Sequence, residues 1–181
     1  MSETLTPSQT VGPFFHIGLE HIAVNDLTAG TAEQPIEITG RVLDGDGQPV
    51  IDALVELWQA NAQGRYVHAE ESSFKGHGRV ATDANGAFRF TTIKPGRVPG
   101  PDGSSQAPHI AVNVFMRGLL KHLVTRIYFP GESSNDDDAV LQRVPPDRRP
   151  TLIAKPAADN PALLTWDIVL QGENETVFFN C

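Results

Sequence analysis

Cysteine is almost absent from this chain, and the one that exists, Cys181, is its last residue. No internal disulfide can form and a thiolate metal cage is excluded, so the fold stands on packing alone. Long apolar runs are missing too. Nothing approaches the roughly 20 residues of a membrane-spanning helix, and the opening Met1-Ser2-Glu3-Thr4 has neither the basic end nor the apolar stretch of a secretion signal. A soluble, cytoplasmic protein with no membrane partner is the expectation. Positive charge is scarce and unclustered: 14 Lys and Arg stand against 22 Asp and Glu, for a net charge of −8. That acidic field repels a phosphate backbone and argues against nucleic acid as a partner.

Fixed-period repeats and low-complexity linkers are also lacking, which points to one domain over residues 1–181. What the chain does have is 14 Pro and 16 Gly spread along its length beside a 40% hydrophobic composition, a pattern of short strands joined by turns around one core. Residues 1–35 read as an N-terminal arm, with 6–15 extended, and residues 36–181 as a β-sandwich. Alternation marks a strand from Ile36 to Val42, closed by the turn Asp44-Gly45-Asp46-Gly47. A second runs over 53–58, with Ala53, Val55 and Leu57 on one face and Leu54, Glu56 and Trp58 on the other. Further strands are expected at 87–92, 109–116, 123–129 and 163–170, and Asn135 is placed to cap a short helix through Leu141 and Gln142. The fold class is therefore all-β: a sandwich of mixed short strands with long loops and an extended N-terminal arm.

Several ordered segments carry more than fold. They are Ile38-Thr39-Gly40-Arg41-Val42, Glu56-Leu57-Trp58-Gln59-Ala60, Gly64-Arg65-Tyr66, Lys94-Pro95-Gly96, Ala107-Pro108-His109-Ile110 and Leu123-Val124-Thr125-Arg126-Ile127-Tyr128-Phe129. Together with Thr6-Pro7-Ser8-Gln9-Thr10-Val11-Gly12-Pro13, they resemble the intradiol ring-cleavage dioxygenase family in both content and order. Family resemblance implies a ferric ion held by two tyrosines and two histidines, hard anionic oxygens and imidazoles suiting that ion. Tyr66 stands where the first tyrosine belongs, but Arg97 follows Lys94-Pro95-Gly96 where the second should be. His109 opens the expected His-x-His, and Ala111 closes it. Half of the set is replaced, once by a cation, so the four positions Tyr66, Arg97, His109 and Ala111 read as a vestigial iron site and no metal is expected in this chain.

Within the family, the pattern resembles the non-iron-binding alpha-type subunit of the two-subunit, protocatechuate-cleaving branch. That resemblance implies a homologous beta subunit carrying Fe(III), a higher hetero-oligomer and an aromatic substrate. It also implies that Thr10, Gly12 and Pro13 on the arm reach the partner's pocket, and that Arg126 serves the substrate carboxylate. Catalytic residues in this chain alone are not expected. Plainer roles stand beside these. Tyr66 and His109 can be packing remnants, Arg97 a solvated loop residue, Arg126 an interface ion pair, and Gly12 and Pro13 an ordinary turn. Trp58 and Trp166 read as core or edge-of-core residues, and Asp136 to Asp138 as a solvated helix start. Two other functions stay open: a non-enzymatic β-sandwich binding module, and a self-sufficient dioxygenase using Tyr66, His109 and further ligands.

Overall fold

Two sheets face each other in a computed structural model that describes residues 5–12, 14–29, 31–66, 74–100 and 103–180. Pro13 and Cys181 lie outside the described residues. In chain order the strands are β1 (Pro35–Leu43), β2 (Leu54–Trp58), β3 (His77–Ala81), β4 (Ala87–Ile93), β5 (Val98–Pro99), β6 (Ser105–Gln106), β7 (His109–Phe115), β8 (Leu123–Tyr128), β9 (Lys155–Pro156), β10 (Leu163–Thr165) and β11 (Ile168–Val169). One sheet is built on β1, with β4 antiparallel on one side and β10 then β11 parallel on the other. The second sheet has the order β3-β2-β7-β8, all antiparallel. Between them lie Val55, Leu57, Ile110, Val112, Ile127, Ile38 and Phe90, all fully buried. Each such side chain contributes about 1.5–3 kcal/mol by leaving water. The all-β expectation holds.

Three local readings need correction. The run 163–170 is not one strand. It breaks at Trp166 and Asp167, because the Asp167 carboxylate accepts the Arg41 amide at 2.8 Å and takes the place of a ladder carbonyl. Gly40 permits this approach, since a Cβ there would overlap the Trp166 carbonyl oxygen. Second, the arm is not extended through Phe15. A six-residue helix, Phe14–Leu19, begins there, followed by a 3-10 turn at Glu20–Ile22. Third, no helix runs from Asn135 to Gln142. Glu132 caps a 3-10 turn at Ser133–Asp137, accepting the Ser134 amide, and a separate turn at Leu141–Arg143 follows. Asp138 between them is fully buried, so the expected solvated start covers Asp136 and Asp137 only.

The stretch after the helix closes one side of the sandwich. Val24 bridges to Arg79 on β3, Asp26 bridges to Thr91 on β4, and Leu27 drops into the core. At the other side the C-terminal stretch adds to β8, where the Phe179 amide donates to the Val124 carbonyl at 2.7 Å.

Candidate functional site

Directly opposed residues of an antiparallel pair project to the same face, and the register of the second sheet therefore sets a row across its outer side. Trp58 on β2 faces Ala111 on β7, and Ala111 faces Arg126 on β8. One step along, His109 faces Tyr128. The inner face alternates with these as Leu57, Ile110, Val112 and Ile127, which explains why Trp58 is 57% exposed. Trp58 is therefore neither core nor edge-of-core, whereas Trp166 is buried and its indole N–H donates to the Thr151 carbonyl at 2.9 Å.

Tyr66 ends a tight loop over residues 61–66, pinned by Asn61, whose carboxamide oxygen accepts the amides of Gln63 and Arg65. The Gly96 amide donates to the Asn61 carbonyl at 2.9 Å, and Gly64, with φ +74°, lies against the Arg97 backbone so closely that a Cβ would overlap the carbonyl oxygen. The loop carrying Tyr66 and the loop carrying Arg97 are thus sewn together backbone to backbone. The Tyr66 ring packs on Trp58 with centroids 5.3 Å apart. Arg97 is exposed and spends a guanidinium N–H on the Ser105 carbonyl at 3.2 Å.

His109 is buried, and its Nδ1 stands 2.8 Å from the Ala107 carbonyl. A carbonyl can only accept, so Nδ1 carries the proton and Nε2 keeps its lone pair. Burial and then the Arg126 charge push the imidazole below its ordinary pKa, against the opposing pull of the Ala107 carbonyl and Asp138. Burial lifts the Tyr66 hydroxyl above its usual value, with Arg126 opposing. Tyr128 is raised too, by burial first; Arg126 counteracts and Asp138 adds. All three groups are neutral near pH 7.

Arg126 is the charge at the centre. Its Nη1 donates to the Gln106 carboxamide oxygen at 2.8 Å and reaches the Tyr128 hydroxyl at 3.4 Å. Beneath this, Asp138 accepts from the Ala107 amide at 2.8 Å, the Tyr128 hydroxyl at 3.1 Å, the Val140 amide at 3.0 Å and the Leu141 amide at 2.8 Å. The sequence reading missed Asp138, Gln106 and Tyr128 as members of the site. The regular alternation of β8 carried the only signal, placing Tyr128 beside Arg126.

Of the positions singled out in the sequence, Tyr66, His109, Ala111 and Arg126 come together on this face. Thr10 and Gly12 do not. The Thr10 hydroxyl accepts the Gly118 amide at 2.7 Å, in the turn after β7, at the strand end away from His109. From His109 to Phe115 is six residues, roughly 20 Å at the rise of a strand. Gly12 is exposed, with nothing within 4 Å of where a Cβ would stand.

A family model described as Dioxygenase matches residues 16–172. The chain belongs to the dioxygenase family. Within that family it is 40% identical to the protocatechuate 3,4-dioxygenase alpha chain of Burkholderia cepacia, over 97% of this chain and 96% of that one. The Pseudomonas putida alpha chain is 41% identical over the same shares. The Burkholderia cepacia beta chain is 39% identical, over 93% of this chain and 77% of that one. A solved dioxygenase domain from Streptomyces sp. SirexAA-E, part of a fusion with a carbohydrate-binding protein, superposes with a TM-score of 0.66 at 26% identity, covering 97% of this chain and 95% of that one. Among the described residues no group of three or more His, Cys, Asp or Glu is arranged to hold a metal, and no helix is long and apolar enough to cross a membrane.

The lowered His109 pKa has a consequence for stability. As pH falls through about 6.5, the unfolded chain takes up a proton on this residue that the folded chain resists, so His109 contributes a loss of stability in mild acid. Asp26, Asp83 and Glu132, held low by hydrogen bonds to their carboxylates, act only nearer pH 4. His109→Gln should therefore reduce the drop in urea midpoint between pH 7.5 and 5.5 relative to the parent chain. An identical drop in both proteins would show that His109 does not titrate in this window.

Proposed function

We propose that this chain is the alpha-type subunit of a two-subunit, cytoplasmic dioxygenase that cleaves protocatechuate with O2 to 3-carboxy-cis,cis-muconate, Fe(III) being held by a homologous beta subunit. Percent identity alone does not separate the two subunit types, at 40% against 39%. Site chemistry supports the alpha type. The observation that carries the reading is the Arg126 guanidinium, opposite Ala111 and electrostatically coupled to both Tyr66 and His109. A ferric ion bound there would face a fixed cation with two of its four expected donors replaced, so the residues present do not fit it. Iron supplies the oxygen chemistry from the partner, and this chain contributes shape and charge.

The arm supports a role in a neighbouring subunit. Thr10 is anchored at the far end of β7 from His109, which supports a role for the arm in another subunit's pocket rather than in this chain's own. Arg126 supplies a cation suited to the substrate's ring carboxylate.

Two measurements test this. Purified alone, the chain should hold no stoichiometric iron and show no phenolate-to-iron absorption band, while the complex should hold one iron per alpha–beta pair. Iron in the isolated chain would favour a self-sufficient enzyme instead. In the assembled enzyme, Arg126→Ala should lower kcat/KM for protocatechuate by one to two decades, since a charged hydrogen bond contributes about 1.5–3 kcal/mol. Catechol, which lacks the carboxylate, should be much less affected. Equal losses for both substrates, with dissociation of the complex, would make Arg126 an interface residue.

A further inference from the structure

Arg126 is a half-buried cation whose hydrogen-bonding capacity is largely unspent. A guanidinium carries five N–H donors, and the described partners, Gln106 and Tyr128, both engage Nη1. Nε and Nη2 have no hydrogen-bond partner among the described residues, and no carboxylate there lies within ion-pair distance of the group. The nearby Asp138 is spent on three amides and the Tyr128 hydroxyl. A charge partly removed from water is costly unless something of opposite sign faces it.

The surroundings define the shape of that something. Along the row Trp58, Ala111, Arg126, the middle residue has only a methyl group, while its neighbours are the longest side chains on the face. At 4.7–4.9 Å per strand spacing, the two flanking backbones stand roughly 9.5 Å apart with Ala111 as a low floor between them. One wall is aromatic: Trp58 and Tyr66 pack together and remain 57% and 46% exposed. The other wall is the guanidinium fork, backed by the Phe179 ring 6.0 Å away.

We propose that this chain's own degenerate pocket is a non-catalytic binding site for a single-ring aromatic carboxylate, with the carboxylate on Nε and Nη2 of Arg126 and the ring over Ala111 against Trp58 and Tyr66. Planar, bidentate pairing of guanidinium with carboxylate fixes the orientation of the ring, and the aromatic wall supplies apolar contact. No bond forms or breaks. The site requires neither iron nor a partner chain. It rests on the same Arg126 as the substrate role proposed above, and the two fail separately: absence of binding to the iron-free chain overturns this site, whereas unchanged protocatechuate turnover by the Arg126→Ala complex overturns only the substrate role.

The test uses the full-length, iron-free chain and 4-hydroxybenzoate, whose single hydroxyl makes it no substrate for ring cleavage. Titration followed by calorimetry and tryptophan fluorescence should give one saturable site per chain. Arg126→Gln should weaken binding on the order of ten- to a hundred-fold, from the loss of a charged contact. Ala111→Leu, which leaves the guanidinium in place but fills the floor, should weaken it at least ten-fold and guards against a folding defect in the first variant. Trp58→Phe should keep the calorimetric site and remove the fluorescence change. Catechol and acetate, offering the ring or the carboxylate alone, should each bind at least ten-fold more weakly. Absence of a saturable site, undiminished binding in either the Arg126 or the Ala111 variant, or acetate binding as well as the aromatic acid would overturn the proposal.

Discussion

Asp138→Ala is expected to destabilise the protein by about 3–5 kcal/mol, a large part of the 5–15 kcal/mol that holds a typical domain together. The carboxylate is fully buried and accepts three backbone amides and the Tyr128 hydroxyl. Alanine would leave those donors without an acceptor, at about 1–3 kcal/mol for each that finds no water. The loss also propagates. The Ala107 amide fixes the approach to His109, and Leu141 belongs to the smaller apolar cluster with Tyr128, Val144 and Leu152. Asn at this position keeps one acceptor oxygen but turns an NH2 toward an amide or hydroxyl donor, so Asp138→Asn should fall between the two. Urea unfolding with an unchanged m value is the measurement, and a midpoint shift for Asp138→Ala within error of a surface substitution would refute the network's importance.

Gly64→Ala should cost about 2–4 kcal/mol. Two causes add: φ of +74° is a left-handed conformation unfavourable for a residue with a Cβ, and that Cβ would stand 2.8 Å from the Arg97 carbonyl carbon while overlapping its oxygen. Backbone cannot yield as a flexible side chain does, so the loops bearing Tyr66 and Arg97 must separate. Gly47→Ala is the matched control. Its φ is +73°, yet nothing lies within 4 Å, so it should show only the conformational part, about 1 kcal/mol. Equal costs at both positions would mean that the contact between the loops contributes nothing.

The parts of this fold that were legible in the sequence are those where the period of side chains matched the layer they serve. β1, β2, β7 and β8 alternate cleanly, and each appears within two residues of its expected span. β3 was not legible, because His77-Gly78-Arg79-Val80-Ala81 shows little alternation and its glycine answers to a tertiary demand: a Cβ there would stand 2.7 Å from Leu27 and 2.8 Å from the Val24 carbonyl oxygen. The break at Asp167 is likewise tertiary, set by an amide 126 residues away in sequence.

The candidate site divides in the same manner. Two-residue spacing put His109 and Ala111 on one face, and the family resemblance added Tyr66, whereas Arg126 was grouped with Thr10, Gly12 and Pro13 and joins this face only through the pairing of Ala111 with Arg126. Asp138 stayed hidden since three consecutive aspartates look alike until Ala107 and Tyr128 select the third. Trp58 was misplaced by the general preference of tryptophan for burial, although its own alternation with Leu57 already turned it away from the core. Gln59, a polar member of the motif, is buried for a structural reason: it receives the Thr92 hydroxyl at 2.7 Å and donates to the Ile93 carbonyl at 2.9 Å, tying one sheet to the other.

The short seam at Val24 and Asp26 also bears on how the chain behaves in a crowded solution. β3 and β4 are the outermost strands on one side of their sheets, and an outermost strand offers a row of unpaired amides and carbonyls to any other chain that can add to it. One segment caps both, since the Val24 amide and carbonyl pair with Arg79 and the Asn25 and Leu27 backbones pair with Thr91. A chain shortened past Leu27 would keep its two sheets of strands but present two open templates at once, and edge-to-edge self-association would follow at concentrations where the full-length chain stays dispersed.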